Sequence, residues 1–155
     1  MRVHNGRKAA VFALLAAAWA GVLFFFSGQS GADSGALSMA LTRFLFGGLI
    51  ARGADADMFH HLVRKAAHFG VFAVEGFLAG RALLCVLKAR TAALLTALAV
   101  TALAVANELH QRLSVQRVCS PRDMLIDACG GLAGLLAAGA ILFAMGRRRK
   151  TQDRQ

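Results

Sequence analysis

Asn107-Glu108-Leu109-His110-Gln111 closes a long apolar run, Thr91 to Ala106, and a second apolar run opens soon after it with Asp123 and Asp127 in its first turns. Between them lies a short basic segment, Arg112 to Arg122. Ionisable side chains at the border of a membrane span are costly to place, so they read first as functional. The apolar runs on either side read as transmembrane helices, because lipid leaves a spanning chain few other ways to satisfy its backbone. The rest of the chain then serves as a frame that holds this polar stretch at one face of a bilayer.

Composition agrees. The chain has 155 residues, 57% of them hydrophobic, with a mean hydropathy of +0.57, which is high for a soluble domain of this size. We read one domain over residues 1–150 and a short polar tail over 151–155. The net charge of +10 would suit nucleic acid, but the basic residues sit between apolar runs and at both ends. Membrane flanks account for them, and nucleic acid is excluded as a partner. Cys85, Cys119 and Cys129 have neither CxxC nor zinc spacing, so no disulfide framework or structural zinc is implied.

Working outward, Ala9 to Phe26 is a charge-free apolar run behind a basic start. At about 1.5 Å per residue it reaches roughly 27 Å, enough to span. The same pattern describes a signal peptide, but the later spans make cleavage unnecessary for membrane residence. Ala36 to Ala51 is apolar around Arg43 and reads as an interfacial or re-entrant helix in the first outer loop. Asp57 is placed to cap a helix beginning near Met58. That helix enters the membrane at Ala66 and continues to about Leu87, carrying His68, Glu75 and Arg81. The third span is Thr91 to about Glu108, and the fourth follows Ser120-Pro121-Arg122-Asp123. Gly76/Gly80 and Gly130/Gly134 are small-xxx-small steps that permit close helix packing. The predicted fold is an all-α membrane bundle of four transmembrane helices.

Lys and Arg are more numerous on the side that receives the amino terminus, Arg81, Lys88, Arg90 and the Arg147–Arg154 tail. This places both termini in the cytoplasm of a multi-pass protein, in the inner membrane of a bacterial cell. Gln29, Lys65, His68, Glu108, His110, Gln111, Arg117, Asp123 and Asp127 then share the outer face. Lys65 and His68 are i, i+3 and lie on one helix face, with Glu75 two turns deeper. Asp123 and Asp127 are i, i+4, on the stripe that continues into Gly130 and Gly134, so they face the bundle. Structural roles are open to several of these residues. Ser120 to Asp123 fits a capping box with proline at the first helical position. Glu108 is placed to pair with Arg112, and Arg117 with Asp127. His60 and His61 read as surface.

Phe26-Ser27-Gly28-Gln29, Arg64-Lys65-Ala66-Ala67-His68-Phe69 and Asn107-Glu108-Leu109-His110-Gln111, continued by Arg117, Ser120, Asp123, Asp127, Gly130 and Gly134, resemble the VanZ-like membrane proteins, named after an accessory protein of glycopeptide resistance. Asn107 stands where that family usually has aspartate, Val115-Gln116 where it has Pro-Gly, and Glu75 one turn deeper than its usual acid. The resemblance implies a small multi-span envelope protein linked to resistance against lipidated glycopeptides such as teicoplanin. It supplies no established reaction.

Two functions follow. In the first, a non-enzymatic envelope protein engages membrane lipids or lipid-linked envelope intermediates through Gln29, Lys65, His110, Gln111, Arg117 and Asp123, since Lys and Arg bind phosphate oxygens. In the alternative, a membrane-embedded enzyme acts on a lipid or lipid-phosphate substrate. His68 or Glu108 is then the acid or base, and Asp127 orients the histidine or the arginine. A metal would draw on His68, His110, Glu108 and Asp127. No HExxH is present, however, and Glu108 and His110 fall on different sides of an ideal helix. No metal and no cofactor is therefore assigned from sequence. Self-association into a homo-oligomer stays open. The orientation has a direct test. An impermeant maleimide applied to intact cells is expected to label the wild type through Cys119 and to fail with Cys119→Ser. Labelling that persists through Cys85 contradicts it.

Overall fold

The computed structural model describes residues 5–117 and 119–152, with side chains through residue 147. Among these residues five helices follow one another: α1 (Gly6–Ser27), α2 (Gly31–Ile50), α3 (Ala56–Leu84), α4 (Ala89–Gln111) and α5 (Pro121–Gln152). No strand occurs among the described residues. Four helices, α1, α3, α4 and α5, are long and apolar enough to cross a membrane. The chain is a multi-pass membrane protein. The expected polar tail begins within the last turn of α5, and residues 153–155 lie outside the described ones.

Helix boundaries follow local capping. α2 begins five residues earlier than its apolar run, because the Ser30 hydroxyl accepts from the Asp33 N–H at 3.1 Å and donates to the Asp33 carboxylate at 2.6 Å. α3 is capped by Asp55 and not by Asp57. The Asp55 carboxylate accepts from the N–H groups of Asp57 and Met58 at 2.9 and 3.2 Å, which leaves Asp57 inside the first turn. Gly53, at φ +94°, supplies the left-handed turn between α2 and α3 that other residues rarely adopt.

The strongest packing is between α3 and α5. A methyl group added at Gly130 would strike the Phe69 carbonyl, one at Gly134 the Ala73 carbonyl, and one at Gly76 the Gly131 carbonyl. The two backbones therefore touch, and the contacts advance together along both chains, so the helices run parallel. α1 runs antiparallel to α3: the Trp19 indole donates to the Val71 carbonyl at 2.8 Å, and Arg81 lies 5.1 Å over the Phe12 ring. α4 fills the remaining side, with Val100 against Gly131. Buried Leu23, Phe72 and Ala104 join three helices in a small core. α2 lies across the start of α3, where Ser38 shares a 2.7 Å hydrogen bond with His60 Nε2 and Phe46 stacks on Phe59 at 4.5 Å. His60 is thus half-buried, against the surface position expected, while His61 is exposed. Large apolar side chains on outer faces, such as Leu94, Leu136 and Phe143, are exposed, as lipid contact requires.

Gly134→Val is expected to displace α5 from α3, at a cost of at least about 1–3 kcal/mol for overpacking against backbone. Its melting temperature in detergent should fall well below wild type. Gly139→Val, on the same helix with nothing within 4 Å of the added carbon, should melt as wild type does.

Candidate functional site

The parallel seam of α3 and α5 sets two polar pairs in register. Lys65 reaches Asp123, and one turn deeper His68 Nδ1 lies 3.0 Å from Asp127 Oδ1. His68 is the partner of Asp127, not Arg117. Asp123 is not the second half of a capping box either. Its N–H donates to the Ser120 hydroxyl at 3.3 Å, but its carboxylate turns to Lys65. The Ser120 N–H donates across to Glu108 Oε2 at 2.9 Å. Glu108 is wholly buried and Arg112 is exposed, so no i, i+4 surface pair forms. One ligand-competent atom each from His68, Glu108 and Asp127 lies within 4.8 Å of the others. Glu75 is buried but does not join this group.

Beside the cluster, two connections are laced together. The Gly31 N–H donates to the Val115 carbonyl at 3.0 Å, and the Ser114 hydroxyl to the carbonyls of Ser27 and Gly28 at 3.3 and 3.1 Å. Arg117 Nη2 donates to the Phe26 carbonyl at 3.3 Å. Gln116 adopts a left-handed φ of 60° at the position read as glycine in the resembling pattern. These contacts make the carbonyls of Phe26, Ser27 and Gly28 a set of backbone acceptors that hold the α4–α5 loop. Arg117 is pressed below the ordinary guanidinium range, first by burial and then by Arg64, with Glu108 opposing.

Both arginines open onto a cavity of about 620 Å³ bounded by α1, α2, α3 and α4. Its walls are mainly apolar, from Trp19, Phe26, Leu41, Phe44 and Phe72, and its polar side groups include Arg64, His68, Asn107, Gln111 and Arg117. Gln29 and Ser27 line it too. Of the residues expected from sequence, His68, Gln29, Gln111 and Arg117 meet in the cavity. Glu108 and Asp127 stand behind His68. Lys65 and Asp123 pair with each other beside them. His110 is held apart, 3.4 Å from the Ser27 hydroxyl and edge-on to Phe24 at 5.3 Å. Sequence reading missed Trp19 and gave Arg64 no role. Arg64 was visible only as part of a quoted motif, and Trp19 gave no signal inside a uniformly apolar run.

A family model described as VanZ/LLP1 matches residues 12–143, most of the chain. Comparison with curated proteins and with solved structures gave no match.

Proposed function

The chain belongs to the VanZ/LLP1 family, and from that membership and the form of its cavity we propose that it binds an anionic amphiphile of the cell envelope. The tail lies in the apolar part of the cavity and the head group meets Arg64 and Arg117. The occupant is a membrane lipid or a lipid-linked envelope intermediate, held at the outer face of the bacterial inner membrane. One observation carries this reading: two arginines without a carboxylate partner among the described residues share one apolar cavity. An unpaired guanidinium in a partly dry site is costly unless an anion answers it, and its planar fork suits phosphate. Altered settling of lipidated glycopeptides at that face links this binding to resistance.

A second reading is supported by the geometry of His68. It meets Asp127 at 3.0 Å with Glu108 close by, and it lines the cavity. A carboxylate fixes the tautomer and orientation of an imidazole that serves as acid or base. Acid–base work on a bound lipid or lipid phosphate is the activity such a pair supports.

Native mass spectrometry of the full chain in detergent tests the first reading, with phosphatidylglycerol and phosphatidylcholine as probes. Retention of phosphatidylglycerol over phosphatidylcholine is expected. Arg64→Ala and Arg117→Ala should each weaken it roughly ten- to a hundredfold, as losing a charge-assisted hydrogen bond worth about 1.5–3 kcal/mol implies. Equal retention of both lipids, unaffected by either substitution, would remove the proposal. In a susceptible host, expression should lower sensitivity to a lipidated glycopeptide. Loss of that protection with His68→Ala and Glu108→Gln but not with Arg117→Ala favours the acid–base reading.

A further inference from the structure

We propose that His68, Glu108 and Asp127 form a site for one divalent transition-metal ion, Zn2+ or Mn2+, between α3, α4 and α5. The amphiphile reading is not needed for this inference. The three side chains come from three helices, and one ligand-competent atom from each lies within 4.8 Å of the other two. His68 Nδ1 and Asp127 Oδ1 are 3.0 Å apart. That is the spacing of adjacent ligands at about 90° around an ion about 2.1 Å from each, as in octahedral coordination.

The balance of charge and hydrogen bonding points the same way. Glu108 and Asp127 are both 0% exposed, and two carboxylates buried side by side are costly unless positive charge lies between them. Lys65 is taken by Asp123, a neutral His68 brings no charge, and Arg117 acts on Glu108 only from beyond ion-pair distance. Among the described residues at this end of the bundle, Glu108 Oε1, Asp127 Oδ2 and Asn107 Oδ1 are buried without a hydrogen-bond partner, as is the Arg117 Nε donor. The three oxygens are acceptors and outnumber that donor. A cation answers such a set, whereas a neutral ligand would have to bring a donor for each.

The ligand types narrow the choice of ion. An imidazole with two carboxylates suits Zn2+ or Mn2+, while Ca2+ and Mg2+ prefer oxygen alone. The Ser120 N–H bond to Glu108 Oε2 fixes that carboxylate from outside, as supporting shells of metal sites do. His68 and Asn107 also line the cavity, so positions left free on the ion face it. Water or a phosphate oxygen would complete the coordination there.

The test uses tag-free full-length protein in detergent, stripped with chelator and desalted. It is titrated with Zn2+ or Mn2+ alone, desalted again, and read by plasma mass spectrometry and by melting temperature. About one ion per chain and a raised melting temperature are expected. His68→Ala, Glu108→Gln and Asp127→Asn should each weaken retention by roughly tenfold or more. His61→Ala and Cys119→Ser should bind as wild type does. If a carboxylate variant does not fold, Co2+-loaded wild type decides: visible ligand-field bands lost in His68→Ala support the site, and their absence from wild type overturns it. No retained Zn2+ or Mn2+, or full retention by all three variants, also overturns it. Stripped protein that still retains phosphatidylglycerol would leave the amphiphile reading standing, so the two failures are distinguishable.

Discussion

Backbone contact between α3 and α5 is the constraint on which the rest of the structure depends. Gly130 and Gly134 meet the carbonyls of Phe69 and Ala73, and Gly76 meets Gly131. In lipid there is no hydrophobic gain from pressing two apolar helices together, so close approach must come from small residues and polar links. The glycines permit the approach, and Lys65–Asp123 with His68–Asp127 fix its register at one end. Because the helices are parallel, acidic residues in the first turns of α5 land beside basic residues in the first half of α3. An antiparallel pair would have separated them by the length of a span.

The other elements complete this end of the bundle. α4 inserts Glu108 behind the histidine and lends it to the Ser120 N–H. α1 ends in carbonyls that hold Arg117 and Ser114. α2 lies over the start of α3 and walls a cavity that would otherwise be an open groove. Charged groups and apolar walls thus share one space, which suits a ligand that is itself half polar and half apolar.

Much of this was legible in the sequence because the membrane imposes strong patterns. Four spans follow from apolar length, and the glycine stripes follow from i, i+4 spacing. Membership of His68 and Asp127 in one cluster follows from the faces those stripes define. What failed was the choice among partners. Asp123 fits a capping box by spacing, yet Lys65 competes for its carboxylate and wins, and Ser120 turns to Glu108. Arg117 and Asp127 have complementary charge, but only the α3–α5 register decides that His68 arrives first. Asp55 and Asp57 are both suitable cap types, and it is Asp55 that has the extended backbone of an N-cap. The cavity was not legible at all, since it depends on how far α2 reaches across α3.

An amphiphile bound here would lie in a fixed direction, with its acyl chain against the apolar wall and its head group at Arg64 and Arg117. Photo-crosslinking with phosphatidylglycerol bearing a diazirine in its acyl chain, mapped by mass spectrometry on full-length protein in nanodiscs, tests this placement most directly. Adducts concentrated at the buried cavity wall, on Trp19, Leu23 and Phe72, and displaced by unlabelled phosphatidylglycerol, are expected. Adducts spread evenly over outer-face residues such as Leu94, Leu98 and Phe143, with no displacement, would contradict it.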